Sequence, residues 1–204
     1  MQNKIIKDAI FHLSNDKKIK KLIQEYQKPQ FSKPLDSFNS LAKSIIFQQL
    51  SGKSASSIHN RFLSLFTNQV PNPESTLLLN IEDLRKVGLS NQKTNYILEL
   101  AAYFISKKNN IKFEQLSDDD ISKELISIKG IGQWTIDMFL MFTLFRTDIL
   151  PVADLGVQKG FKKIFNLTDK PDKVFMTEMS QSWRPYRTIA CCYLWRCVDD
   201  QNFW

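Results

Sequence analysis

Asp154 closes the run LPVAD and stands directly before Leu155-Gly156-Val157. An aspartate at that place is a good helix N-cap, with a side-chain oxygen taking an amide of the first turn. The same carboxylate, fixed at the positive end of a helix, could stabilise a cation that develops in a transition state, or orient an attacking water. The two roles are compatible. Upstream, Lys129-Gly130-Ile131-Gly132 forms a glycine hairpin, and a segment of helical length opens at Gln133. The first amides of such a helix have no intrahelical partner, so a phosphate oxygen fits there. Taken alone, G-x-G reads equally as an ordinary helical hairpin with a glycine cap. Trp134, next after the hairpin, either packs in the core or offers an indole face to a flat or cationic ring. Gln48-Gln49-Leu50-Ser51-Gly52 interrupts a helical pattern and reads as a turn that Ser51 can cap.

Four stretches in order carry a resemblance: SIIFQQLSGKSASSI, GLSNQKTNYILELA, KGIGQWT with LPVADLGV, and WRPYRTIACCYLW. Together they are similar to the helix-hairpin-helix/Gly-Pro-Asp (HhH-GPD) superfamily of DNA glycosylases, and most of all to the 3-methyladenine (alkylpurine) DNA glycosylases. The resemblance runs from about Leu35 to Cys197. It implies an all-α fold of two helical lobes with DNA in the cleft between them. One lobe would be about 36–150, the other about 1–35 with 151–204. Some relatives carry an N-terminal β-domain, for which this chain has no room.

The resemblance also assigns roles. Asp154 would be the carboxylate that stabilises oxocarbenium character on the sugar as the N-glycosidic bond breaks. Trp134 stands where lyase-competent relatives carry a Schiff-base lysine, which implies a monofunctional hydrolase. Trp134, Trp195 and Met138 would line the base pocket; some relatives have aromatics at Met138 and Arg196. Gln49, Leu50 and Ser51 would form the wedge that fills the hole left by a flipped base, Gln49 as plug and Ser51 toward the minor groove. Gly130, Ile131, Gly132 and Thr135 would hold the DNA backbone; Lys53, Lys93 and Lys159 read either as phosphate contacts or as solvated surface lysines. Carbonyls of Ile126, Ile128 and Ile131 could bind one sodium or potassium ion; no other cofactor is implied. The activity implied is removal of 3-methyladenine- or 7-methylguanine-type bases from duplex DNA, the first step of base excision repair. A bifunctional glycosylase/lyase for oxidised bases is the first alternative, and Trp134 argues against it. A non-catalytic hairpin module that grips DNA is the second, and Asp154 with the paired tryptophans argues against that.

The elements that must position these residues read as helices throughout. Residues 3–28 give two short amphipathic helices broken near Ser14-Asn15. Asp36 caps a helix carrying Phe38, Leu41, Ile45 and Ile46 at near-helical spacing. The next runs from about Lys53 to Phe66, then Val70-Pro71-Asn72-Pro73 is a loop. Asn80 caps a short helix that stops at Gly88, and Ser90 opens one bearing Tyr96, Ile97, Leu100, Ala101 and Phe104. Ser117 with Asp120 resembles a capping box leading into the hairpin. The helix after the hairpin is expected over Gln133–Phe145. Helices follow at about Leu155–Phe165, Lys173–Ser180 and Tyr186–Val198. No alternating strand pattern is present.

Composition sets the bounds. A chain of 204 residues with 43% hydrophobic residues can bury a sizeable core, and fifteen Phe and four Trp make it aromatic. The net charge of +7 and pI near 9.2 suit a surface that meets phosphate. Three cysteines, Cys191, Cys192 and Cys197, crowd one segment, lack iron–sulfur spacing and read as reduced core residues. His12 and His59 read as structural, and Asp148 as surface. MQNKIIKDAI holds no long apolar stretch, and no run approaches the ~20 apolar residues of a membrane span. An intracellular monomer acting on double-stranded DNA is expected.

Overall fold

The structure, a computed structural model, describes residues 2–31, 35–50, 52–107 and 111–199. Among these, every regular element is helical. In chain order they are α1 (Gln2–Leu13), α2 (Lys17–Glu25), α3 (Ser37–Phe47), α4 (Gly52–Leu63), α5 (Pro73–Leu77), α6 (Ile81–Lys86), α7 (Asn91–Ser106), α8 (Asp118–Ile126), α9 (Gln133–Phe142), α10 (Leu155–Phe165), α11 (Lys173–Met179) and α12 (Arg187–Val198). None is long and apolar enough to cross a membrane.

The contacts divide the chain into two compact units, one within Lys33–Leu144 and one made of Met1–Ser32 with Phe145–Asn202. The first unit is built around α3. Its Phe38, Leu41, Ile45 and Ile46 are buried and pack against α4, α7 and α9. Each such side chain contributes about 1.5–3 kcal/mol by leaving water. Rings extend this core: Phe104 meets Phe38 edge-on at 5.7 Å, and Phe113 meets Phe139 at 5.2 Å. Ser90 caps α7 by accepting the Lys93 amide at 3.2 Å.

The second unit centres on α10 and α12. Gly160 lets the two helices close up, since a Cβ there would lie 2.7 Å from the Leu194 Cβ. Trp183 is fully buried and donates its indole N–H to Asp16 Oδ2 at 3.0 Å. The other oxygen of Asp16 caps α2 through the Lys18 and Ile19 amides, so one carboxylate starts a helix and anchors a core tryptophan. The three cysteines are free thiols, and burial pushes Cys192 up to about 12 and raises Cys197.

Four local expectations are revised. The helix after the hairpin ends at Phe142, not Phe145, because Thr143 closes it and Phe145 takes φ 54 in the left-handed region. The helix expected over Lys53–Phe66 stops at Leu63. The proline-rich stretch at Val70 leads into a helix of its own, α5, with Asn72 as cap, Pro73 in the first turn and Ser75 completing a capping box. Asp120 does not form the expected box with Ser117; the serine hydroxyl accepts the Asp120 amide at 3.1 Å and donates to Asp120 Oδ2 at 2.6 Å.

Candidate active site

Asp154 is the N-cap of α10, with its Oδ1 accepting the Val157 amide at 2.7 Å. The same oxygen accepts the indole N–H of Trp195, from α12, at 2.7 Å. Two donors on one oxygen fix the carboxylate in orientation, at the helix end where the macrodipole favours negative charge. The indole reaches it by passing over Gly156: a Cβ there would lie 2.5 Å from Trp195 Cδ1 and 3.1 Å from Asp154 Oδ1. Asp154 is half-buried, and the neighbouring Leu155 is 64% exposed, so the anion sits at an accessible edge.

The loop leading to Asp154 is tied down. Gln158, buried on α10, donates its amide to the Val152 carbonyl at 2.6 Å, while its own Oε1 has no partner among the described residues. Asp148 is half-buried and paired rather than simply solvated. It accepts Arg187 Nε at 2.6 Å and Arg184 Nη2 at 2.9 Å. Thr188 adds a hydroxyl to the Arg146 carbonyl at 2.7 Å and accepts the Ile149 amide at 3.1 Å. A carboxylate that must act from a fixed place needs such a loop.

A second cluster lies wholly within the Lys33–Leu144 unit. Gly130 takes φ 93, and a side chain there would collide with the Tyr96 ring at 2.1 Å. Gly132, the N-cap of α9, offers no side-chain cap, and a Cβ on it would meet nothing within 4 Å. The start of α9 therefore lacks a side-chain cap and has open space at Gly132, an arrangement that suits an anionic oxygen. The wedge residues Gln49 and Leu50 are exposed, with Gln49 at φ 59. Ser51 lies outside the described residues. Wedge and hairpin together line a concavity of about 540 Å³.

Other expected site residues fall less simply. Trp134 and Trp195 are both half-buried. Met138 is only 1% exposed, so it backs α9 rather than presenting a face to a base. Thr135 is likewise 1% exposed, and its hydroxyl accepts Gln48 Nε2 at 2.9 Å instead of standing open to a phosphate. The Ile131 amide is spent on the Ile128 carbonyl at 3.0 Å. Lys93 is half-buried at the edge of that concavity, and its amine donates to the Ile46 and Gln48 carbonyls, each at 2.7 Å. Lys53 and Lys159 are exposed. Near the wedge, His59 is drawn down to about 4 by burial and the Lys43 charge, so it is neutral at ordinary pH. Among the described residues no group of three His, Cys, Asp or Glu side chains comes together as a metal site.

The family model described as "HhH-GPD superfamily base excision DNA repair protein" matches residues 42–185. The chain belongs to the HhH-GPD superfamily. A putative DNA-3-methyladenine glycosylase of Bacillus subtilis is 37% identical over 79% of this chain. DNA-3-methyladenine glycosylase 1 of Schizosaccharomyces pombe is 34% identical over 92% of it. The chain spans 59% of the length of the first and 86% of the second. The solved structure of the S. pombe 3-methyladenine DNA glycosylase Mag1 in complex with abasic DNA superposes with a TM-score of 0.85 at 32% identity, covering 97% of this chain and 98% of that one. The helical architecture is thus the HhH-GPD glycosylase fold.

Several residues of these two clusters were not legible as such in the sequence. Gly156 and Gly160 stand four apart, on one face of α10, and that spacing was a readable sign of close helix packing. Gln158 carried no such signal, because its role depends on where the preceding loop folds back. Gln48 was masked by its neighbour Gln49, and Tyr96 looked like one more apolar position of α7.

Proposed function

We propose that this chain is a monofunctional DNA glycosylase that removes alkylated purines from duplex DNA and leaves an abasic site. The observation that carries the reading is the doubly bonded Asp154 carboxylate at the start of α10, in a chain whose relatives are named DNA-3-methyladenine glycosylases. Oxidised-base lyases need an amine nucleophile, and Trp134 occupies the position where such relatives have lysine.

The chemistry follows from these groups. The C1′–N bond of the everted nucleotide breaks, its electron pair leaves with the purine, and positive charge spreads over C1′ and the ring oxygen. Asp154, held in place beforehand, faces that charge with no reorganisation at the moment of reaction. Water then adds to C1′, and its proton passes to the carboxylate or to solvent. Alkylation has already weakened the bond and made the base cationic, so little acid catalysis on the leaving group is required. An indole face, from Trp134 or Trp195, favours such a base by about 0.5–2 kcal/mol through cation–π attraction. Gln49 and Leu50 fill the vacated stack, and the uncapped amides at Gly132 and Gln133 grip a phosphate. Oxygen donors on Ile126, Ile128 and Ile131 suit a hard monovalent cation, which would add one more positive contact to that phosphate. The enzyme works as a monomer wherever genomic DNA is held, inside the cell.

Incubation with methylated duplex DNA tests the reading. Released methylpurine, with strand breaks only after alkali and no borohydride-trapped adduct, is the expected result. Breaks before alkali, or a trapped adduct, would replace it with a lyase.

A further inference from the structure

The tip of the wedge loop holds an unfavourable backbone. Gln49 stands at φ 59, a conformation that a non-glycine residue keeps only where its surroundings enforce it. Two side chains hold the backbone that leads to it. The Lys93 amine, reaching across from α7, donates to the carbonyls of Ile46 and Gln48, each at 2.7 Å. Gln48 Nε2 donates to the Gly130 carbonyl at 2.8 Å and to the Thr135 hydroxyl at 2.9 Å. One residue therefore joins three parts. The Gln48 carbonyl is held by α7, its amide holds the glycine hairpin and the first turn of α9, and the next residue is the tip.

Simple helix capping does not account for this. The Ile46 carbonyl lies among the last of α3 and lacks an intrahelical donor, so one bond to it would suffice. Lys93 reaches further, to the Gln48 carbonyl past the helix end. Its ammonium is half-buried against two carbonyls, and burial pulls it below the ordinary lysine range. The Gln48 side chain turns away from its own helix toward a hairpin 82 residues along the chain. The unit has an apolar core apart from these two side chains: Ile45 on α3, Ile97 on α7 and Ile136 on α9 have no exposed surface.

We propose that Lys93 and Gln48 are a positioning pair that sets the wedge at a fixed height above the backbone-gripping hairpin, so that seating a phosphate on the hairpin delivers Gln49 and Leu50 into the base stack. The inference rests on the glycosylase reading and adds to it a mechanical link between grip and eversion. Charged donors on carbonyls are strong enough to serve, being roughly twice as strong as neutral ones.

The test compares single-turnover release of 7-methylguanine from two duplexes. In one the lesion is fully paired; in the other it lies in a single-nucleotide bulge and is already unstacked. Lys93→Met and Gln48→Leu should each slow release from the paired duplex about tenfold and from the bulge less than twofold. The double variant should be no slower than the worse single one, because the two act in one chain of contacts. Lys93→Arg, which keeps two donors, should recover to within threefold of the parent. Equal slowing on both duplexes would reduce the pair to general scaffolding, and no slowing on either would make it dispensable; each result overturns the proposal. A second arm needs no catalysis. With 2-aminopurine opposite an abasic site, saturating parent protein should change the fluorescence as the wedge enters, and the Met and Leu variants should give less than half that change. If the parent gives this signal but releases no base, the glycosylase reading fails and the pair stands. If the variants match the parent's signal, the pair fails.

Discussion

The Trp195 indole nitrogen and the Asp154 carboxylate are 2.7 Å apart, and the indole gets there only because residue 156 has no side chain. Trp195 therefore aims the anion. Trp195→Phe keeps an aromatic face and removes the donor. A hydrogen bond to a charged group is worth about 1.5–3 kcal/mol, so kcat should fall roughly ten- to a hundredfold with KM within about twofold. A rise in KM with kcat intact, measured on a methylated oligonucleotide, would assign Trp195 to stacking alone.

Asp154 serves as cap and as anion, and one substitution separates the two. Asparagine caps a helix about as well as aspartate. Asp154→Asn should thus melt within about 2 °C of the parent, while base release falls by roughly a hundredfold or more. Affinity for abasic DNA should be nearly unchanged in a fluorescence-anisotropy titration. Full activity in this variant would remove the catalytic assignment.

Where the chain spells out a contact locally, the sequence reveals it. The Asp154, Ser90 and Asp36 caps lie within three residues of the amides they accept. The glycine hairpin and the fold class are legible for the same reason, and through ordered motifs. What stays hidden is pairing across distance. Lys93 looks like a surface cation until α7 is seen to aim it at the end of α3, and Asp148 looks solvated until Arg184 and Arg187 close on it. Met138 carries an apolar side chain suited to a pocket or a core, and only its burial decides for the core. The early end of α9 escapes because Phe145, an ordinary helix residue by pattern, adopts a left-handed backbone there.

Gly156 and Gly160 should respond differently to the same added methyl. A Cβ on Gly160 meets the Leu194 Cβ at 2.7 Å and its carbonyl at 2.9 Å, where the partner includes backbone and cannot swing away. Overpacking of this kind costs about 1–3 kcal/mol, so Gly160→Ala should lower Tm by roughly 3–10 °C, less whatever alanine regains as a helix former. On Gly156 the obstacle is the Trp195 side chain, 2.5 Å away. Gly156→Ala should spare most of the stability and lower kcat at least tenfold, because the indole must leave the carboxylate. Differential scanning fluorimetry beside single-turnover release distinguishes them; a larger Tm loss for Gly156→Ala would refute this division of labour.

The two hairpin glycines make a matched pair. Gly130 combines φ 93 with a Tyr96 ring 2.1 Å from any Cβ, so Gly130→Ala should lower both Tm and DNA affinity. Gly132 has extended backbone at φ −107 and open space around it. Gly132→Ala should leave Tm within about 1 °C, yet weaken binding to abasic duplex several-fold where the methyl meets the phosphate. Unchanged affinity for Gly132→Ala would move the phosphate grip away from the start of α9.

His59 sets an acid limit on stability. Burial and the Lys43 charge hold it near 4 in the folded chain, against an ordinary value of 6.5. Between those values the unfolded chain takes a proton that the folded one refuses, so stability falls as pH drops from about 6.5 toward 4 and is fully present above 6.5. Phe47, edge-on at 6.2 Å, offers no charge to offset this. His59→Gln removes the titration while the carboxylates remain common to both proteins. Melting curves taken in steps from pH 7 to 4.5 should show a smaller loss of Tm for the variant than for the parent. Parallel slopes would mean that the imidazole reaches solvent and accepts its proton at the ordinary pH.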